Sequence, residues 1–191
     1  MAYNLSERST SYEKGRSADR NRTGRSYFCS RYKNCGHNSM IREVTSGDLN
    51  SLLELYLHLH EVSIPEDNDH LRNTWNKILN NEDYHIVVCE KDGIIVSSCT
   101  CVIVPNLTRS ASPYALVENV VTHEKYRGNG YASACLEYAK EIAVKNGCYK
   151  MMLITGSDKP ETHEFYKRNG YHSEGKTAYY NLLKDVNWNK L

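Results

Sequence analysis

Glu118 is the one charged side chain in Tyr114-Ala-Leu-Val-Glu-Asn-Val-Val121. A carboxylate inside such a strand-forming run is seldom buried without a partner or a purpose. Period-two alternation places Glu118, Val120 and Thr122 on one face and Asn119 and Val121 on the other; if the first face is solvent, Glu118 is only a surface residue. Just downstream, Arg127-Gly128-Asn129-Gly130 stands where the strand hands over to a stretch of helical period. A helix N-terminus offers unpaired N–H groups and the positive end of the dipole, and glycines let an anion reach them without an intervening Cβ. The turn suits phosphate. It lacks the Gly-Lys-Ser/Thr of a nucleotide P-loop, and Ser133 stands where a dinucleotide fingerprint wants a third glycine. The plain alternative is a tight strand-to-helix turn.

The elements that must position these groups alternate along the chain. Residues 40–44 read as a short strand, and Ser46 to Asp48 offer an N-cap to a helix with Leu49, Leu52, Leu53, Tyr56, Leu57 and His60 on one face. A second helix begins near Asp69, with Leu71, Trp75, Ile78 and Leu79 on its apolar side. Residues 84–91 and 94–104 flank Asp92-Gly93, a strong hairpin signal. After the turn-rich stretch 105–113 and the Glu118 strand comes a helix with Ala132, Cys135, Leu136, Ala139, Ile142 and Ala143 as its stripe, ended by Gly147. Residues 148–155 read as a strand, 160–169 as a short helix stopped by Gly170, and 177–183 as a last strand. This order, without an internal repeat, predicts an α/β protein with a mixed sheet.

Composition sets the outer bounds. A chain of 191 residues, 40% hydrophobic and 25% charged, fits one domain and a tail. No run approaches the roughly 20 apolar residues of a membrane span, and no signal-like apolar region opens the chain. Seven cysteines without framework spacing, mostly in apolar stretches, suit a reducing, cytoplasmic setting. Residues 1–39 carry six Arg and two Lys against Glu7, Glu13 and Asp19, a net +5 that leaves −4 on the remainder. With few aliphatic residues and no period, this segment predicts a flexible basic tail before a domain over residues 40–187; Met40 itself could be a native start. Cys29, Cys35 and His37 lack the paired spacing of a zinc site, so no metal is expected. Arginines interleaved with Tyr12, Tyr27, Phe28 and Tyr32 could touch nucleic acid, but a solvated tail explains them better.

The combination Glu124-Lys-Tyr-Arg-Gly-Asn-Gly-Tyr-Ala132, the amphipathic helix after it, a strand, and then His163-Glu-Phe-Tyr-Lys-Arg-Asn-Gly-Tyr171 resembles the Gcn5-related N-acetyltransferase (GNAT) superfamily. Arg127-Gly128-Asn129-Gly130-Tyr131-Ala132 matches the family's Gln/Arg-x-x-Gly-x-Gly/Ala signature, and Phe165-Tyr166-x-x-x-Gly170-Tyr171 its Phe-Tyr-x-x-x-Gly-Phe/Tyr element. The resemblance spans Met40 to Leu183. Lys159 stands where the family often has Asn.

The resemblance implies the GNAT fold, a mixed central sheet with strands 4 and 5 splayed and helices on both sides. It implies acetyl-CoA as co-substrate. Its pyrophosphate would be wrapped by Arg127, Gly128, Asn129, Gly130, Tyr131, Ala132 and Ser133, and its pantetheine arm would pair with the edge Val120, Val121 and Thr122. Acyl transfer needs a base for the amine, donors for an oxyanion, and a proton for the thiolate. Within the family a strand-four Glu often takes the amine proton, which gives that role to Glu118, and Tyr166 matches the tyrosine beside the cofactor sulfur, a general acid. The plain reading of Tyr166 is a packing residue. Thiol catalysis by Cys135 or Cys148 lacks an adjacent His base.

The activity implied is direct N-acetylation of a primary amine, with a small molecule as the expected acceptor. A protein or peptide amine, or a CoA-binding domain without turnover, are the other readings. His58, His60, Glu61, Glu66, Asp67, Asp69 and His70 make the segment after the first helix acidic and His-rich, which suits a cationic acceptor or a solvated connection. The expected partners are a small-molecule amine and, in a homodimer, a second copy of the chain. Neither a membrane nor nucleic acid is expected.

Overall fold

The computed structural model describes residues 27–28, 39–59, 61–181 and 183. Cys29, Cys35, His37, Tyr12, Tyr32 and His60 lie outside them. In chain order the elements are β1 (Tyr27–Phe28), β2 (Ser39–Glu43), α1 (Leu49–Tyr56), α2 (Asp69–Leu79), β3 (Tyr84–Lys91), β4 (Ile94–Val104), β5 (Tyr114–Thr122), α3 (Tyr131–Lys145), β6 (Met151–Met152) and α4 (Pro160–Arg168). The six strands form one sheet in sequence order, antiparallel throughout except for the parallel pair β5 and β6.

The two faces of that sheet carry separate apolar clusters. On one, α3 buries Ala134, Cys135, Leu136, Tyr138, Ala139 and Ala143 against Val87, Cys89, Cys99, Cys101, Ala115 and Val117. On the other, Leu52 and Leu55 of α1 and Trp75 of α2 cover Ile86, Val88, Ile95 and Val121. The helical stripe read for α3 widens to include Ala134 and Tyr138, because a helix against a twisted sheet buries more than one line of side chains. In α1 the buried positions are Leu52 and Leu55, whereas Leu57 is exposed. Leu57 is the C-cap, just past the last residue of the helix, and keeps a helical backbone.

Local chemistry fixes the helix starts. Asn68 caps α2, its side-chain oxygen accepting from the Leu71 N–H at 3.0 Å. Pro160 stands at the start of α4, where its missing N–H costs nothing. Arg42 ties β2 to the residues before α1: its guanidinium donates to Asp48 at 2.7 and 2.9 Å and to Glu90 at 2.9 Å, while Asp48 also accepts from the Thr45 N–H at 2.6 Å. Burial opposes this ionised cluster, yet the hydrogen bonds prevail and hold Asp48 below the usual carboxylate range.

Three features differ from the sequence reading. Tyr27 and Phe28 pair with Ile41 and Met40, a ladder that no periodicity announces in so short a piece. The strand read over 148–155 reduces to Met151 and Met152. The strand read over 177–183 does not form among the described residues: Thr177 to Asn181 run without regular structure, with Tyr179 and Tyr180 exposed. Strand propensity expresses itself only against a partner edge, and this segment has none here.

Candidate active site

A bulge decides where Glu118 points. In the β4–β5 ladder Thr100 faces Glu118 and Ser98 faces Val121, so Asn119 and Val120 together stand opposite Cys99. Asn119 takes a left-handed conformation, φ 52°, which its short polar side chain tolerates better than most. The extra residue breaks the alternation. Val120 packs with the α3-side cluster and Val121 with the α1-side cluster, while Thr122 bonds through its hydroxyl to Ser97 at 2.8 Å. Glu118 therefore shares its face with Val121, and the grouping of Glu118 with Val120 and Thr122 expected from strict period two is corrected.

The same strand parts from its parallel neighbour. Only Ala115 with Met151 and Leu116 with Met152 are in register. Beyond Leu116 the β5 edge that carries Val120, Val121 and Thr122 has no strand on its β6 side among the described residues. This is the splay, and it leaves backbone groups available to a ligand that lies along them.

The turn after β5 joins two left-handed glycines to the start of α3. Gly128 and Gly130 both sit at φ 78°, a region open to glycine and strained for a branched side chain. A Cβ on Gly128 would meet nothing within 4 Å, so the space beside it is open. The Asn129 side chain folds inward, donating to the carbonyls of Tyr126 at 3.0 Å and Arg127 at 3.1 Å. Arg127 reaches back through Nε to the Thr122 carbonyl at 3.2 Å. The first bond of α3 runs from the Ala134 N–H to the Gly130 carbonyl, so the N–H groups of Tyr131, Ala132 and Ser133 lead the helix without intrahelical acceptors. Tyr131 itself is buried and anchors the turn in the core. These groups fit a pyrophosphate, and Lys159, exposed at the start of α4, bonds through its N–H to the Ser157 hydroxyl.

Tyr166 approaches from the opposite side of the sheet. It packs against the α3-side cluster with Phe165, ring centroids 5.1 Å apart, and with Tyr171 at 6.0 Å. Burial pushes its phenol pKa up, with smaller contributions from Cys99 and from the Glu118 carboxylate. Loss of water against the sheet raises Glu118 as well, although its side chain remains exposed to solvent in part. Glu118 thus stands on the α1 face of β5 two residues past the last pair with β6, and Tyr166 packs on the α3 face. Cys135 is fully buried with its thiol pKa raised well above the ordinary value, unsuited to nucleophilic attack.

A sequence model of the Acetyltransferase (GNAT) family matches residues 49–171. The chain belongs to that family. Its members use acetyl-CoA as acetyl donor, the group whose pyrophosphate the Arg127 to Ser133 turn fits. The chain is 31% identical over 132 residues to the glucosamine 6-phosphate N-acetyltransferase of Trypanosoma brucei brucei, covering 69% of this chain and 87% of that protein. An uncharacterised N-acetyltransferase of Methanocaldococcus jannaschii is 27% identical over 138 residues, and the match spans 69% of this chain and 59% of that one. Among solved structures, a candidate acetyltransferase of Agrobacterium tumefaciens str. C58 superposes with TM-score 0.69 at 38% identity, covering 74% of this chain and 98% of that chain.

Several neighbours of the GNAT site escaped the sequence reading. Tyr56, Tyr84, Ser98 and Thr100 lie on the Glu118 face, and the signal was present: Ser97, Ser98 and Thr100 put three hydroxyls into a strand otherwise rich in apolar residues. His123, directly after β5, stacks on His58 with ring centroids 4.1 Å apart and accepts the Lys125 N–H at Nδ1. Desolvation and then the His58 ring lower its pKa. Of the acidic segment before α2, Asp67 is paired with Arg72 at 2.7 Å, which cancels part of the negative field expected there. No helix among the described residues is long and apolar enough to cross a membrane.

Proposed function

We propose that this GNAT protein moves the acetyl group of acetyl-CoA directly to the primary amine of a small molecule. The observation that carries the reading is the pair Glu118 and Tyr166, set on opposite faces of the sheet at the point where β5 and β6 part. Bound there, acetyl-CoA supplies the activated thioester. Val120, Val121 and Thr122 hold the arm of the donor along the open β5 edge, and the turn from Arg127 to Ser133 holds its diphosphate. Glu118 accepts the proton of the incoming ammonium from the α1 side. Tyr166, kept protonated by burial, delivers a proton toward the sulfur from the α4 side. A relative named for acetylating glucosamine 6-phosphate supports a small acceptor.

The test is an acetyl-CoA turnover screen over polyamines, amino sugars, aminoglycosides, amino acids and peptides. Amine-dependent release of free CoA with a mass gain of one acetyl group on a small acceptor is the expected result. Tight CoA binding with no acceptor acetylated would make the protein a CoA-binding domain instead, and transfer confined to peptides would move the acceptor to protein amines.

A further inference from the structure

Among the described residues, the side-chain hydrogen bonds made to β5 fall on its last two residues, Val121 and Thr122. Those are two of the three residues along which the donor arm would lie. Ser97 of β4 makes two of the bonds: its hydroxyl donates to the Val121 carbonyl at 2.8 Å and meets the Thr122 hydroxyl at 2.8 Å. The other runs from Arg127 Nε to the Thr122 carbonyl.

Ser97 is at 0% exposure. It stands opposite Cys89 of β3 and Thr122 of β5, so it shares the α3 face with Cys89 of the apolar cluster. Alanine would pack there with no polar group to satisfy. A serine has one proton to give, and a carbonyl can only accept. That proton goes to Val121, so the Thr122 O–H is the donor in the bond to Ser97. Donation runs from Thr122 to Ser97 to Val121, and both hydroxyls are thereby oriented.

The register slips on either side of this point. Cys89 faces Ser97 while Glu90 faces Ile95, so Val96 is an extra residue against β3; Asn119 and Val120 together stand against Cys99. Two slips so close leave the end of β5 without the regular ladder that would set its position. The Ser97 hydroxyl sets it instead. Held from β4 by Ser97 and from the turn by Arg127, this end of the edge is in place before a ligand arrives, and a ligand that meets a preorganised surface loses less affinity to ordering it.

We propose that Ser97 is a positioning residue of the donor site. Acting through Val121 and Thr122, it presets the open β5 edge for the arm of acetyl-CoA, while itself touching neither donor nor acceptor. This rests on the reading above that the donor lies along that edge.

The experiment is calorimetric titration of the full-length protein and its variants with coenzyme A, with Tm measured alongside. Ser97→Ala should weaken binding about three- to tenfold, the scale of a hydrogen bond. Thr122→Val should weaken it similarly, and Thr122→Ser, which keeps the hydroxyl, should lose less. The double variant Ser97→Ala with Thr122→Val should bind no more weakly than the weaker single, because the two hydroxyls act as one unit. Cys101→Ala is the control, on the same strand and in the same cluster at 0% exposure: it should lower Tm and leave CoA affinity unchanged. Parent affinity in Ser97→Ala, additive losses in the double variant, or an equal loss in Cys101→Ala overturns the positioning role and leaves the donor site standing. Should Ser97→Ala not fold, equal affinities in Thr122→Val and Thr122→Ser overturn it. A parent that does not bind CoA overturns the donor reading and the role of Ser97 with it. The expected pattern of affinities without transfer to any amine upholds Ser97 and overturns the acyl-transfer reading alone.

Discussion

Arg127 donates through Nε to the Thr122 carbonyl at 3.2 Å, so the side chain that opens the phosphate turn is fastened to the last residue of the strand along which the donor would lie. The glycine turn and the open β5 edge are thereby linked by a side-chain bond. Replacing Arg127 with Ala should weaken CoA binding by about tenfold or more, since a charge-assisted contact and the positioning of the turn go together. Arg127→Lys should recover only part of it, lacking the fork that bonds carbonyl and phosphate at once. Calorimetric titration with CoA checks both.

Gly130→Val should reduce CoA affinity through the backbone. The residue is left-handed at φ 78° and heads α3, a conformation that costs a β-branched side chain about 1–2 kcal/mol. We expect a folded protein with a lowered Tm and CoA binding weakened by more than the Tm loss accounts for. Unchanged affinity in a folded variant would refute the cradle.

Tyr166→Phe should lower kcat by about tenfold or more with little effect on acetyl-CoA binding, as for a group needed only as the reaction proceeds. The pH profile gives the sign. Glu118 must be ionised to act as base and its pKa is raised by desolvation, so the acid limb of kcat/KM should lie above the ordinary carboxylate value of about 4.3. The Tyr166 phenol is also raised, so loss of the acid should come only above about pH 10. Glu118→Gln should remove most activity at neutral pH and less at high pH, where free amine is abundant. Steady-state rates across pH for the three proteins decide the matter.

Asp48→Asn should destabilise the fold by about 2 kcal/mol, the scale of hydrogen bonds to a charged group, because Arg42 would keep only Glu90 of its two carboxylate partners. The folded-state pKa of Asp48 lies below its ordinary value. Its contribution is therefore fully present above about pH 4 and fades as pH falls through the lower folded value. Urea unfolding of parent and variant should converge in strong acid.

A chain beginning at Met40 should fold, bind CoA and turn over amine like the whole chain. It loses Ser39 and the two-residue ladder of Tyr27 and Phe28, so a small drop in Tm is expected and no change in kcat/KM at an ionic strength of about 0.15 M, where surface charges are screened beyond roughly 8 Å. An insoluble or inactive product would make the first 39 residues part of the domain.

The long strands were legible because Tyr84–Lys91, Ile94–Val104 and Tyr114–Thr122 are dense in branched residues and Asp92-Gly93 dictates the hairpin. The glycine turn was legible because a left-handed backbone narrows the choice of residue. The bulge was not. It arises from a mismatch between two strands, Asn119 and Val120 against Cys99, and no single strand records its partner's count. The side of the sheet on which Glu118 falls was therefore beyond reach, although its identity as an isolated carboxylate was not. Residues 177–181 show the converse: strand-like composition that, among the described residues, meets no edge to receive it.

The buried cysteines give the protein a built-in clock. Cys89, Cys99, Cys101 and Cys135 are all at 0% exposure in one cluster, and burial drives each thiol pKa upward. They are shielded twice, from reagent by the packing and from reaction by the scarcity of thiolate. Alkylation at these positions must wait for the β3, β4 and α3 layer to come apart, so at saturating reagent the labelling rate becomes the opening rate of that layer. Among the cysteines of the described residues, Cys148, only partly covered, would react first and mark time zero.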